Sequence, residues 1–228
     1  MKSTAILIPA RYGSTRYPGK PLAKLDSVPM IKRVYDACTA SKIPTFVLTD
    51  DKRIADLIPA QYCYIDKTDY ENGTERCAGA VLSRKFEEFD QFINVQGDMP
   101  DVTTKMLSSA VVSLNSFDVS TVYTDMPNEM QADPNSVKMI KDSKDTALWF
   151  GRGITGYGEW HLGVYGYTKE AIKVYPQLRK YPEEDIEKLE QLRWLKNGWQ
   201  IGVQSVYFNG VEINTPEDVE AWNAKQAY

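Results

Sequence analysis

Short apolar runs alternate with amphipathic stretches along the first half of the chain. Residues 4–8, 45–49 and 92–96 are rich in β-branched or aromatic side chains and are bounded by turn residues, which predicts short buried strands. Between them, apolar residues recur at helical spacing over residues 29–38 and 74–82. Because strands and helices alternate, the pattern predicts an α/β fold with a mostly parallel sheet and helices on both of its faces.

The second half of the chain is richer in strand patterns. Strands are predicted over residues 119–123, 137–140, 147–150 and 161–167. A long helix is predicted from Pro182 to a stop at Asn197-Gly198, and a last helix begins at Thr215-Pro216, where two acidic residues complete a capping-box pattern. Since no repeat or linker interrupts the chain, we expect one domain over residues 1–228, with a small β-rich excursion around residues 120–165.

Composition and charge narrow the classes of function. The 228 residues include 27 basic and 31 acidic side chains, a net charge of −4 that argues against bulk binding to nucleic acid or anionic membranes. The three cysteines form no CxxC pair, no apolar run reaches the length of a membrane span, and the apolar start of the chain is too short for a signal peptide. We therefore expect a cytoplasmic protein without membrane insertion. His161 is the single histidine, which excludes a histidine-rich zinc site.

Residues 8–22, which follow the first predicted strand, concentrate basic, hydroxyl and glycine residues: Ile-Pro-Ala-Arg-Tyr-Gly-Ser-Thr-Arg-Tyr-Pro-Gly-Lys-Pro-Leu. A loop in this place lies at the carboxyl edge of the sheet, where open α/β sheets bind ligands, and its charges suit an anion. The Walker phosphate loop does not fit, because five residues separate Gly13 from Gly19 where four are needed, and Pro21 replaces its Ser/Thr. The alternative is a solvated basic connection.

Asp98 follows the third predicted strand after Gly97 and is therefore expected at the same edge of the sheet. A carboxylate in this position suits Mg²⁺, which prefers one or two protein carboxylates together with phosphate oxygens of the substrate. The alternative is an aspartate that caps a turn before Met99-Pro100.

Seven short segments, in this order along the chain, carry a resemblance to a known family: the basic loop of residues 8–22, Gly73-Thr-Glu-Arg76, Asn94-Val-Gln-Gly-Asp98, Phe150 to Arg152, His161-Leu-Gly-Val-Tyr-Gly-Tyr167, Leu189-Glu-Gln-Leu-Arg193 and Thr215-Pro-Glu-Asp218. With these segments the chain resembles the sugar-activating cytidylyltransferases, and most closely the family of 3-deoxy-manno-octulosonate (Kdo) cytidylyltransferases, which makes CMP-Kdo. The resemblance covers nearly the whole chain and implies a three-layer, Rossmann-like nucleotidyltransferase fold.

The resemblance also implies roles for individual residues. The nucleotide is expected to lie against Ala10, Arg11, Ser14, Arg16, Lys20, Arg76 and Gln96. The acidic sugar is expected to lie against Gln96, Arg152, His161, Tyr165, Glu190 and Gln191. Arg11, Lys20 and Asp98 are expected to be catalytic, and Asp98 and Asn214 are expected to hold Mg²⁺.

Simple chemistry agrees with these roles but leaves alternatives open. Arg152 can pair with the sugar carboxylate, and His161 and Tyr165 can donate to sugar hydroxyls, although either residue can instead be structural. Arg76 can hold the nucleotide or be an exposed helix charge. Glu190 follows Ile186 by four residues, on the apolar side of the predicted helix, where a carboxylate needs a hydrogen-bond partner.

The chain departs from the family pattern in two places. Only eight residues, Gly153 to Trp160, separate Arg152 from His161, where the family has a longer segment. Asn214 stands where the family has an aspartate that helps to bind the metal, and Glu212 is the one nearby carboxylate that can compensate for the lost charge.

The sequence as a whole predicts a magnesium-dependent enzyme that joins CTP to Kdo or a close analogue and releases pyrophosphate. Two alternatives remain at this point: a cytidylyltransferase for another acidic sugar, and a nucleotide-binding homologue that has lost turnover. The resemblance also implies a homodimer.

Overall fold

Strands and helices alternate along the chain as the sequence pattern predicts. The computed structural model describes residues 2–13 and 17–226. Its strands are β1 (Thr4–Ala10), β2 (Lys24–Leu25), β3 (Val28–Pro29), β4 (Thr45–Thr49), β5 (Cys63–Ile65), β6 (Gln91–Val95), β7 (Val119–Thr124), β8 (Lys138–Lys141), β9 (Ala147–Gly151), β10 (Glu159–Thr168) and β11 (Ile201–Ser205). Its helices are α1 (Met30–Thr39), α2 (Lys52–Ala55), α3 (Gly73–Leu82), α4 (Thr104–Ser113), α5 (Lys169–Val174), α6 (Pro182–Glu187), α7 (Leu192–Lys196) and α8 (Pro216–Gln226). Within the described ranges, none of these helices is both long and apolar enough to cross a membrane.

The central sheet confirms the predicted α/β class. Over the residues that the structure describes, nine strands form one sheet, seven of them in the order β11-β7-β10-β6-β1-β4-β5. Strand β10 runs antiparallel to β6 and β7, whereas the β1–β4, β1–β6, β4–β5 and β7–β11 pairs are parallel. The β8–β9 hairpin joins the sheet at the first residues of β10, within the segment expected to form a β-rich excursion. The carboxyl ends of β1, β4, β6 and β7 therefore meet the amino end of β10 at one edge.

Strand β1 shows how the sheet separates two apolar cores. Ile6 and Ile8 face the core that contains buried residues of α1, α4 and α8, whereas Ala5 and Leu7 face the core formed with α3, α5 and α7. All four side chains are fully buried, as expected for a central strand covered on both faces. The result is a three-layer arrangement that leaves the strand ends open to a ligand.

The single helix predicted from Pro182 to Asn197 is wrong. Helix α6 ends at Glu187; the next residue, Lys188, adopts a left-handed backbone conformation (φ 56°), and α7 begins only at Leu192. Ile186 is 77% exposed, so the expected apolar side of the helix does not face the core there. Glu190 instead lies in the connection between the two helices, from which it turns toward the sheet.

Helix α3 begins at Gly73, one residue before the predicted helical pattern. Asn72 is the N-cap residue, and its Oδ1 accepts from the backbone N–H of Glu75 at 2.8 Å. Thr74 lies inside the helix, buried, with its hydroxyl 3.1 Å from the hydroxyl of Tyr167. The cap directs the first turn of α3 toward the open edge of the sheet.

Candidate active site

The open edge of the sheet gathers side chains that follow β1 and β6. Arg11 follows β1 directly, and Gln96 and Asp98 follow β6. The antiparallel β10 contributes Gly163, whose carbonyl accepts from the Gln96 backbone N–H at 3.0 Å. Two cavities of about 580 and 220 Å³ open here, and Arg11, Asn72, Gln96 and Asp98 line both of them. The two cavities therefore meet at the strand ends.

The smaller cavity lies beneath the basic loop. Ala10, Arg11 and Lys20 line it, as the sequence predicts. Ser14 and Arg16, the other two predicted phosphate ligands, lie outside the described residues. The Gly19 N–H donates to the Tyr12 carbonyl at 3.0 Å, so the two ends of the loop are held together beside the cavity.

Lys20 and Asp98 form an ion pair between the two cavities. The Lys20 Nζ lies 2.7 Å from Asp98 Oδ2 and 3.1 Å from the carbonyl oxygen of Ile213. Lys20 begins a short 3₁₀ turn, Lys20–Leu22, which Gly19 introduces in a left-handed conformation (φ 75°) that favours glycine. The turn thus places an ammonium group against the carboxylate expected to hold a metal.

Arg76 is buried, which excludes the alternative of an exposed helix charge. Its Nη1 donates to the Asp66 carbonyl at 3.1 Å, its Nη2 lies 3.7 Å from Asp50 Oδ2, and its guanidinium lies 5.2 Å from the centre of the Tyr70 ring. The residue lines the smaller cavity. A buried guanidinium fixed on several sides provides a rigid positive wall for this cavity.

Glu190 links the larger cavity to α3 and β6. Its Oε1 accepts from Gln96 Nε2 at 2.6 Å, and its Oε2 accepts from the Thr74 backbone N–H at 3.1 Å. Burial raises the pKa of the Glu190 carboxyl, while the Thr74 N–H favours its charged form. A Cβ on Gly73 would lie 2.9 Å from the Gln96 amide atoms, so a larger residue here would displace the Gln96 side chain. Glu190 therefore fixes the orientation of Gln96 between the cavities.

His161 lines the larger cavity but differs from the expected hydrogen-bond donor. The Thr121 hydroxyl donates to the Val164 carbonyl at 2.8 Å, so its oxygen accepts from His161 Nε2–H at 3.0 Å. Burial, together with the positive charge of Arg152, lowers the pKa of His161 to about 3. The ring is neutral and its one N–H is used, which leaves Nδ1 as an acceptor. In this tautomer the ring presents an acceptor to the cavity, and the predicted contact between His161 and a sugar hydroxyl stays a prediction.

Tyr165 and Gln191 form a pair in the larger cavity. The Tyr165 hydroxyl donates to Gln191 Oε1 at 3.2 Å, and burial raises the pKa of the tyrosine well above its usual value. Among the described residues, Gln191 Nε2 is buried with no hydrogen-bond partner. The Tyr165 proton is already donated to Gln191. The amide N–H groups of Gln191 are therefore the donors that this pair offers to a ligand.

Arg152 lies against the larger cavity and connects two of its walls. Its Nε donates to the Glu187 carbonyl at 3.1 Å, its Nη1 donates to the Asn135 carbonyl at 2.6 Å, and its backbone N–H donates to Glu187 Oε2 at 2.8 Å. Its positive charge acts on both His161 and Glu212, whose pKa values it lowers. The guanidinium therefore lines the larger cavity, and two backbone carbonyls fix its orientation; its contact with a sugar stays a prediction.

Asn214 and Glu212 line the larger cavity together with Asp98. Between them, Ile213 is fully buried, and its backbone N–H donates to the Asp98 carbonyl at 3.1 Å. Burial and the negative charge of Asp98 raise the pKa of Glu212 to about 8. The Asn214 backbone N–H donates to Asp218 Oδ2 at 2.7 Å, which ties this segment to the start of α8. Of the described residues, no three acidic, histidine or cysteine side chains converge on one point.

Sequence reasoning missed two residues that shape the site. Asn72 lines both cavities, and its place three residues before Glu75 is a capping-box pattern that was available in the sequence. Asp50 follows β4; its Oδ1 accepts from the Tyr12 backbone N–H at 3.3 Å and its Oδ2 lies 3.7 Å from Arg76. Its place directly after a predicted strand is the feature that could have identified it.

A basic loop, a carboxylate and two adjoining cavities at the carboxyl edge of a mostly parallel sheet define the site of a nucleotide-using α/β enzyme. The chain belongs to the cytidylyltransferase family, whose model matches residues 5–201, and it is therefore a nucleotidyltransferase.

Individual relatives agree with this family. The chain is 37% identical over 243 residues to the 8-amino-3,8-dideoxy-manno-octulosonate cytidylyltransferase of Shewanella halifaxensis, with 99% of both chains covered. It is 34% identical over 242 residues to the protein of that name from Shewanella woodyi, again with 99% of both chains covered. Its fold matches the structure of CMP:2-keto-3-deoxy-manno-octonic acid synthetase complexed with CTP with a TM-score of 0.88 and 30% identity, covering 99% of this chain and 98% of that chain. These similarities confirm the expected fold and class of enzyme.

Proposed function

We propose that this cytidylyltransferase transfers CMP from CTP to the anomeric hydroxyl of a 3-deoxy-octulosonic acid and releases pyrophosphate. The observation that supports this most is the meeting of two cavities at Gln96 and Asp98. One cavity lies under a basic loop and suits a nucleotide, and the other presents hydrogen-bonding groups and an arginine to an acidic sugar. The similarity to a synthetase that was solved with CTP supports the same assignment.

In this proposal the nucleotide occupies the smaller cavity. Arg11 and Lys20 neutralise the phosphates, and the loop residues Ser14 and Arg16 complete the phosphate contacts. The backbone of Ala10 and the buried guanidinium of Arg76 bound the nucleoside end of the cavity. Positive charge at the β- and γ-phosphates stabilises the leaving pyrophosphate, which is the main electrostatic requirement of the reaction.

The sugar occupies the larger cavity. The Arg152 guanidinium faces the sugar carboxylate, and Gln191 donates to a sugar oxygen with its otherwise unpartnered amide. His161 accepts a hydrogen bond from a sugar hydroxyl through Nδ1, because its other nitrogen donates to Thr121. Gln96, which Glu190 holds at 2.6 Å, contacts both substrates at the junction of the cavities.

The residues at the junction fit a magnesium ion. The Lys20 ammonium lies 2.7 Å from Asp98 Oδ2, so this carboxylate already holds positive charge, and the carboxylate and amide oxygens of Asp98 and Asn214 are ligands that Mg²⁺ accepts. When bound, the ion neutralises phosphate charge. The chain itself binds the two substrates, orients the anomeric hydroxyl toward the α-phosphate and excludes water; catalysis then rests on positioning and charge rather than on a protein nucleophile.

We further propose that the 8-amino-3,8-dideoxy sugar is the preferred substrate. The names of the Shewanella relatives support this. At the rim of the larger cavity, the Lys180 ammonium lies 2.6 Å from Glu71 Oε2 and 2.8 Å from Asp185 Oδ1. Glu71 and Asp185, which hold the Lys180 ammonium, support this preference as acidic groups that suit the ammonium of the amino sugar.

A pyrophosphate-release assay with CTP or UTP against Kdo, its 8-amino analogue and a sialic acid tests the proposal. We expect turnover with CTP and the octulosonates, with kcat/KM highest for the amino sugar. Asp98→Asn should abolish turnover, whereas Asp56→Asn, which removes an exposed carboxylate, should not. Turnover with the sialic acid alone, or with none of the sugars, would contradict the proposal.

A further inference from the structure

We propose that Glu212 supplies, with Asp98, the second carboxylate of the divalent-cation site, and that Asn214 contributes only a neutral oxygen. The inference rests on the proposed function, because that reaction is what requires the cation. It assigns a role to a side chain that the resemblance to the family leaves without one.

The backbone fixes Glu212 beside Asp98. The Ile213 N–H donates to the Asp98 carbonyl at 3.1 Å, so residues 212–214 run alongside the segment that carries the carboxylate. Ile213 is fully buried in the apolar core, whereas Glu212 and Asn214 on either side of it line the same cavity as Asp98. This alternation presents both side chains to the place where the cation is expected.

The groups around this point suit a divalent cation. The Lys20 ammonium lies 2.7 Å from Asp98 and 3.1 Å from the Ile213 carbonyl, so positive charge is already held between the two segments. Asp98 and Glu212 both line the larger cavity, so two acidic side chains face the same space. Lys20 pairs with Asp98, and the Arg152 guanidinium lines the same cavity as Glu212. A divalent ion matches this pair of charges.

Asn214 cannot supply the same charge. Its side chain is a neutral amide, and its backbone N–H is held by Asp218 Oδ2 at 2.7 Å, which fixes the segment at the start of α8. An amide oxygen can complete the coordination of a hard cation but does not add to its electrostatic stabilisation. The carboxylate lost at position 214 is thus replaced from two residues earlier in the chain.

Binding of Mn²⁺ to the sugar-free protein, followed by electron paramagnetic resonance of the free ion, tests this inference, since Mn²⁺ uses the same oxygen ligands as Mg²⁺. We expect Glu212→Gln to weaken Mn²⁺ binding on the order of tenfold or more, as for loss of a charged ligand. Asn214→Asp should strengthen it. Glu220→Gln, which removes an exposed carboxylate from α8, is the matched control and should leave it unchanged.

Thermal unfolding of each variant separates loss of a ligand from loss of the fold. Glu212→Gln should melt close to the wild type, because the amide keeps the size and the hydrogen-bonding capacity of the carboxyl group. Wild-type Mn²⁺ affinity in a folded Glu212→Gln protein overturns the inference, as does a wild-type protein without measurable Mn²⁺ binding. This measurement uses neither sugar nor turnover. If Mn²⁺ binding depends on Glu212 but the protein does not catalyse the proposed reaction, the proposed function is refuted and the cation site is not.

Discussion

His161 makes the stability of this protein depend on pH in a way that can be isolated. The imidazole is buried and neutral, and its Nε2–H donates to Thr121 at 3.0 Å. The pKa is lowered to about 3 in the folded protein, whereas a histidine in an unfolded chain has a pKa of about 6.5. As the pH falls below that unfolded value, the unfolded chain binds a proton that the folded protein does not. Stability contributed by the neutral ring is therefore lost progressively as the pH decreases from about 6.5 toward 3.

The size of the effect follows from these pKa values. Each unit between the unfolded pKa and the solution pH is worth about 1.4 kcal/mol, so the folded state loses about 2 kcal/mol at pH 5 through this residue alone. Other titrating groups are common to wild type and to His161→Gln, whose amide can still donate to Thr121 but cannot titrate. The free energy of unfolding of the wild type should thus decrease by about 2 kcal/mol more than that of the variant between about pH 8 and pH 5.

Urea denaturation of both proteins at the two pH values measures this difference. Nuclear magnetic resonance adds a direct readout, because the chain has one histidine and the ring signals report His161 alone. The folded ring should not titrate between about pH 8 and pH 5, whereas the urea-unfolded ring should titrate near pH 6.5. The assignment of His161 as a buried, neutral acceptor would be refuted if the folded ring titrated near pH 6.5. It would also be refuted if the stability of wild type and His161→Gln depended equally on pH.

Three further substitutions test the parts of the site separately. Lys20→Ala should cost on the order of 2–4 kcal/mol in kcat/KM, as for loss of a charged donor to the transition state, and wild-type turnover would exclude that role. Arg152→Lys keeps the charge but loses the planar fork, so the sugar KM should rise far more than the CTP KM in steady-state kinetics; equal increases would assign the residue to the fold or the nucleotide. Gly73→Ala adds a Cβ that would lie 2.9 Å from the Gln96 amide, so kcat should fall, whereas Gly153→Ala meets nothing within 4 Å and serves as the control. Equal kcat values in these two variants would show that the position of Gln96 is unimportant.

The fold of the central sheet could be predicted because its information is local. The strands β1, β4 and β6 are short apolar runs bounded by turn residues, and the structure places them side by side in the sheet. Topology then brings residues that directly follow these strands to one edge. This is why Arg11, Gln96 and Asp98 could be expected near one another from the sequence.

The connection between α6 and α7 could not be predicted in this way. The helical pattern of the sequence continues through Lys188. No neighbouring residue indicates that Lys188, which is not a glycine, adopts the left-handed conformation (φ 56°) that ends the helix. The break is accompanied by distant contacts, because Glu190 beyond it accepts from Gln96 and from the first turn of α3. Tertiary contacts of this kind override local helix propensity.

The hydrogen-bonding roles in the sugar cavity also required the structure. Whether His161 donates or accepts depends on the hydroxyl of Thr121, which in turn donates to Val164. These partners come from two neighbouring strands and have no common sequence motif. The residue types were therefore predictable, whereas their donor and acceptor roles were not.

The proposed transfer of CMP is tested by mass spectrometry of the product formed from CTP and the 8-amino octulosonate, with pyrophosphate measured in the same reaction. We predict one CMP-linked sugar for each pyrophosphate released, and no product when UTP replaces CTP at the same concentration. CTP hydrolysis without a CMP-linked sugar, or equal product from UTP, would contradict the assignment of the two cavities to a cytidine nucleotide and an acidic sugar.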